Sequence, residues 1–247
     1  MLKVASTENR TGILLSGNWE DLNALYDAIS NLLGEEGFYK GYDDVSTRIL
    51  GLSYELRHAY QGDRETFSSE DGTPCYATRL LWPEVLFDTY ALCDYVTLAK
   101  GKKSYLRAEI PDLNEEVRRH FAERLDTDIA LIRFFQCLVW AELKKVIGEK
   151  RYKKLPEYFE LHSFFGAATG DFKNYCLPYL DMLNVKYLRT KPERRESFLA
   201  TTAGRIISMD AEYQQIKKEI EAYALENDIP VTEVSIGNYD YPEEIVW

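Results

Sequence analysis

Residues 129–143, IALIRFFQCLVWAEL, are apolar at nearly every position, with Arg133, Gln136 and Glu142 as the interruptions. A helix that is apolar all round belongs at the centre of a fold rather than on its surface. Asp112 upstream is a helix cap and Gly148 downstream a stop, so one long helix is predicted between them, with Asp126-Thr127-Asp128 as a point for a break. The run is shorter than the roughly 18 apolar residues a membrane span requires, and it contains charge. No membrane is expected among the partners.

Toward the N-terminus, two short apolar runs, 2–5 and 13–15, flank a polar stretch containing Gly12 and predict a β-hairpin. Asn18 followed by Asp21 is a capping pair for a helix that ends at Gly34. Val45, Ile49, Leu52, Leu56 and Ala59 recur at spacings of 4, 3, 4 and 3, one face of a second helix that Gly62 ends. A polar loop then leads to a strand over 75–81, and Pro83 opens a helix that Gly101 terminates.

Toward the C-terminus, a helix is predicted over 156–165, a turn over 166–170, and a helix from Asp171 kinked by Pro178. A long helix from Glu193 to about Leu225, with a possible interruption near Gly204, and a strand over 231–236 complete the chain. The fold class is α+β and helix-dominated: a multi-helix bundle around a buried central helix with one small β-sheet. One domain, 1–247, is expected, with an N-terminal half 1–101 and a helical half 112–247 as the alternative division.

The 247 residues, 45% hydrophobic and 13% aromatic, suffice for a sizeable core. Cys75, Cys93, Cys137 and Cys176 stand too far apart for a zinc motif or a disulfide framework. With no apolar leader in 1–10, a cytoplasmic chain is expected. The net charge of −11 divides into −8 over 1–100, +4 over 101–200 and −7 over the remainder, so an anion-binding surface would lie in the middle third.

Glu55 and His58, at i and i+3, project from one side of a helix as carboxylate–histidine metal sites require. Glu84 and Asp88, at i and i+4, are a second carboxylate pair suited to a divalent cation or acid–base work. Each pair has a plainer explanation: a solvated flank with an Arg48–Glu55 pair, and acids that suit a helix N-terminus. The sequence 166–170, GAATG, lacks the Lys and Ser/Thr of a phosphate loop, and no cofactor is implied.

Lys150, Arg151, Lys153 and Lys154, with Lys144 and Lys145, form the densest basic run, and 186–195 a second, both interleaved with tyrosines as nucleic-acid surfaces are. In the last long helix, Ile206, Met209, Tyr213, Ile216, Ile220 and Tyr223 repeat at nearly heptad spacing between charged residues. So narrow a seam suits docking by another protein or a second copy; the alternative is a surface helix lying on its own core.

Leu15-to-Tyr26, LSGNWEDLNALY, with RHAYQGDR at 57–64 and LWPE at 81–84, resembles an uncharacterised bacterial protein family over mainly the first hundred residues. That resemblance implies no activity, substrate or catalytic residue. The expectation is a non-enzymatic interaction or regulatory protein acting through helix docking. A metal-dependent enzyme and a nucleic-acid-binding protein are the alternatives.

Overall fold

The computed structural model describes residues 1–34, 38–39, 41–109, 115–155, 175–208, 210–234 and 239–247. The predicted helix 156–165, the turn 166–170, the predicted cap Asp112 and Met209 lie outside them.

Strands β1 (Lys3–Ser6) and β2 (Gly12–Gly17) form the expected hairpin. Thr7 closes its turn: the hydroxyl accepts from the Thr11 and Gly12 amides. Gly12 is required because a β-carbon there would collide with the Leu80 carbonyl of the neighbouring strand. Helix α1 (Trp19–Leu33) starts at a complete capping box between Asn18 and Asp21 and buries Leu22, Leu25, Ala28, Ile29 and Leu32.

Helix α2 (Asp43–Tyr60) buries the five residues of the predicted stripe, and the chain turns at Gly62, φ 87°. Strands β3 (Glu65–Ser68) and β4 (Pro74–Leu81) complete an antiparallel sheet of order β1-β2-β4-β3. Every residue of β3 is exposed, which left it without the alternating pattern that marks a strand.

Helix α3 (Trp82–Glu109) passes through Gly101 without stopping, and α4 (Glu115–Ile147) passes through Asp126-Thr127-Asp128 unbroken. Among the described residues the most enclosed stretch of helix is the first half of α3, where Trp82, Val85, Phe87, Thr89, Leu92 and Tyr95 are fully buried. Helix α4 lies beside it with Phe134 and Cys137 facing outward. The buried central helix is therefore α3 rather than 129–143. Two polar residues of α4, Gln136 and Arg133, meet α3: the amide of Gln136 donates to the Thr89 carbonyl at 2.6 Å and Arg133 reaches Cys93 Sγ at 3.3 Å.

A short helix, α5 (Glu149–Tyr152), follows α4; beyond the undescribed segment come α6 (Cys176–Leu188), α7 (Pro192–Ser208) and α8 (Ala211–Asn227). Pro178 sits in the first turn of α6, where its missing N–H costs nothing, so it does not kink the helix. The break in the predicted long helix falls after Ser208 rather than at Gly204, because Asp210 caps α8 through the Tyr213 amide and is held by Arg205 Nε at 2.6 Å. Residues 231–233 form a 3₁₀ turn, not a strand. The segment 239–247 returns to the hairpin, where Thr11 donates to the Val246 carbonyl and Asn9 to that of Trp247.

Candidate functional site

Helix α2 is the element on which the candidate groups converge, and each side of it meets a different environment. Its inner stripe, Val45 to Ala59, belongs to the core.

One flank carries Arg48 into a charged cluster with α3 and α6. Arg48 Nη1 lies 3.0 Å from Glu84 Oε1, and Nη2 lies 2.8 Å from Asp181 Oδ1 and 3.0 Å from the Leu177 carbonyl. Asn184, fully buried, donates to Glu84 Oε1 at 2.5 Å, and the Tyr241 hydroxyl, arriving from the C-terminal segment, donates to Asp181 at 2.7 Å. One turn along α3, Asp88 is 3% exposed, and its Oδ1 has no hydrogen-bond partner among the described residues. Burial, and secondarily the neighbouring Glu84, push the Asp88 carboxyl well above the usual carboxylate range. Burial likewise raises Glu84 against the pull of Arg48. On Arg48, burial opposes the charge, but Glu84 and Asp181 overcome it and secure the guanidinium form.

Two turns further along the helix, α2 carries Glu55 and His58. Arg64 grips Glu55 through two bonds, Nε to Oε2 at 2.8 Å and Nη2 to Oε1 at 3.0 Å, and Thr78 adds a third at 3.0 Å. The hydrogen bond from Arg64 above all lowers the Glu55 pKa. His58 Nδ1 pairs with Asp63 at 2.9 Å. The four metal candidates thus fall into two separate pairs, one on α3 and one on α2, each tied to an arginine, and the expected Arg48–Glu55 pair is replaced by Arg48–Glu84 and Arg64–Glu55. Among the described residues no group of three or more His, Cys, Asp or Glu side chains is placed to hold a metal ion.

The heptad-spaced seam is turned inward. Ile206 is 1%, Tyr213 0%, Ile216 8% and Ile220 2% exposed, leaving Tyr223, at 52%, as its exposed member among the described residues. The reason is the wide aromatic filling supplied by α6: the rings of Tyr179 and Tyr175 meet Tyr213 edge-on at 5.3 and 6.3 Å, so two large residues cover what a narrow stripe offers. In the basic run, Lys153 pairs with Glu149 at 3.0 Å and Arg151 with Glu196 of α7. Glu149 and Glu196 line one shallow cleft with Lys150, Arg151 and Lys154, so acids are interspersed through that surface.

The outer side of α2 escaped the sequence reading. Opposite the core stripe run Asp43, Thr47, Leu50, Gly51, Tyr54 and His58. Leu50 is 53% and Tyr54 49% exposed. Arg57 Cζ stands 5.6 Å from the Tyr54 ring centroid, and the His58 ring lies 4.2 Å from the other. Tyr60 continues the surface onto α1, meeting Trp19 and Tyr26 edge-on at 6.0 and 5.9 Å. Between Leu50 and Tyr54 sits Gly51, where a β-carbon would meet nothing within 4 Å. A glycine inside a helix costs about 1 kcal/mol relative to alanine, and nothing among the described residues requires one here. The signal was present in the sequence as a second apolar spacing, 50 and 54, flanking an unexplained glycine.

The chain belongs to the family defined by a domain of unknown function, DUF6904, whose model matches residues 2–247, beyond the first hundred residues in which the resemblance is read. No curated protein and no solved structure matches it.

Proposed function

We propose that this member of the DUF6904 family is a non-enzymatic interaction protein of the cytoplasm that works through helix docking, and that the docking helix is α2. The observation that carries this reading is the exposed row Leu50, Gly51, Tyr54 on a helix whose other sides are fully committed. Tyrosine and arginine are the residues that most often dominate binding energy, and Tyr54 with Arg57 stacked on it is such a pair. Four free thiols suit a reducing compartment. A photo-crosslinking amino acid placed at Tyr54 in living cells should give a discrete crosslinked product, while the same group at the comparably exposed Tyr223 should not. Absence of any product from position 54 would defeat the reading.

A second reading, an enzyme, is favoured by one observation, the buried Asp88 carboxyl one turn from Glu84, with no hydrogen-bond partner for its Oδ1 among the described residues, since carboxyls whose environments differ are common in acid–base sites. If that site takes a metal, the purified protein should contain or bind Mn²⁺ or Zn²⁺, and Glu84→Gln with Asp88→Asn should abolish uptake. The nucleic-acid reading has less support, because Glu149 and Glu196 stand within the basic run.

A further inference from the structure

We infer that the cleft between α5 and α7 is a binding site for a small ligand that carries a phosphate chain, and that Glu196 competes with that ligand for the same arginine.

The cleft encloses about 500 Å³, the size of a small-molecule site, and residues 147–151 with Lys154 and Glu196 line it. Each of its two acids is shared between two cations. Glu196 pairs with Arg151 and, at 3.8 Å, with Arg10 from the hairpin turn. Glu149 lies 3.0 Å from Lys153 and 3.7 Å from Lys144. The hydrogen bond from Lys153, and then the charge of Lys144, lower the Glu149 pKa. Two further cations, Lys150 and Lys154, stand one turn apart, exposed, and have no ion pair among the described residues. Positive charge is therefore in excess at this cleft, on a chain whose net charge is −11.

The competition inside the cleft selects the ligand. A single carboxylate brings no more charge than Glu196 and would gain little by replacing it. A phosphate chain brings several charges and many acceptor oxygens in one compact group. It can bridge Lys150 and Lys154 and draw the Arg151 guanidinium from Glu196. The Ile147 carbonyl, 3.3 Å from Arg151 Nη1, keeps that guanidinium in the cleft. A long nucleic-acid backbone fits less well, because Glu149 and Glu196 interrupt the basic surface. Tyr152, the aromatic residue of the run, is engaged with the Trp140 ring at 6.4 Å and with Lys144 Nζ at 5.9 Å, so it gives a base no stacking platform.

Calorimetric titration of the full chain with inorganic tripolyphosphate tests this at about 50 mM salt, where surface charges are weakly screened. One site per chain is expected, with affinity that falls as salt rises, and acetate should give no heat. Lys150→Glu with Lys154→Glu should weaken binding at least ~10-fold, and Lys150→Gln with Lys154→Gln is the milder pair if the reversal unfolds the chain. The same reversal at Lys217 and Lys218 of α8, an equal change in net charge, should alter affinity less than ~2-fold. Glu196→Gln keeps the shape and removes the competing charge, so it should tighten binding at least ~3-fold with an unchanged melting curve. An absence of heat from tripolyphosphate, or binding that survives both Lys150 and Lys154 pairs of substitutions, overturns the site. A Glu196→Gln protein that binds no more tightly than wild type, or acetate that binds as well as tripolyphosphate, overturns the ligand class. So does single-stranded RNA that binds more tightly than tripolyphosphate through the same lysines. None of these variants touches α2, so the docking reading stands or falls separately.

Discussion

Arg48 and Leu50 are two residues apart on α2 and belong to opposite worlds: the Arg48 guanidinium lies 2.8 Å from Asp181, whereas Leu50 is 53% exposed. The first ties α2 to α3 and α6 and fixes the orientation of the helix. That orientation is what presents the second, with Gly51 and Tyr54, to solvent.

Arg48→Met should destabilise the protein by roughly 3 kcal/mol, the low end expected when one member of a buried ion pair is removed and its partners are left uncompensated. Glu84 and Asp181 are those partners, and both keep some exposure, which moderates the loss. Urea unfolding at neutral pH measures it. A change below about 0.5 kcal/mol, the scale of an ordinary surface substitution, would mean the cluster is solvated rather than structural.

Asp88 gives the stability a definite pH dependence. Its pKa is raised on folding, so between the unfolded value near 4 and the folded value the native state binds the extra proton. Stability therefore falls as pH rises through that window, by up to about 1.4 kcal/mol per unit from this one group. Asp88→Asn, which mimics the neutral acid, should flatten that slope and raise the melting temperature at the alkaline end. An Asn variant that keeps the wild-type slope would place the titration elsewhere.

Ile216→Asp should cost more than about 3 kcal/mol, because a charge enters the contact between α8 and α6. Tyr223→Ala, on the exposed end of the same helix, should stay within about 0.5 kcal/mol. Equal effects from the two would show that α8 does not pack as described.

Gly51→Ala should stabilise the isolated protomer by about 1 kcal/mol, the helix propensity difference, since the added methyl meets nothing. Thermal melts at low concentration read this directly. A destabilised alanine variant would mean that the protomer itself needs the glycine.

Local signals carried the sequence reading well where neighbours in sequence decide structure. The Asn18/Asp21 box, the α2 core stripe and the hairpin are such cases. What could not be read was which distant group answers each charge. Arg48 finds Asp181 from α6, and Tyr241 closes the cluster from the far end of the chain. Strand β3, exposed at every position, has no periodicity to detect and exists because β4 offers it an edge. The α8 seam misled for a related reason. Its narrow width describes the helix alone, and the breadth of the residues that cover it, Tyr175 and Tyr179, belongs to another helix.

Tyr54 and Tyr223 are matched reporters, 49% and 52% exposed on two different helices. Hydroxyl-radical footprinting in living cells, compared with the dilute purified protein, tests the claim that α2 is a docking face. Tyr54 should be oxidised several-fold more slowly in cells while Tyr223 reacts at the same rate in both. Equal reactivity of Tyr54 in the two settings would contradict it.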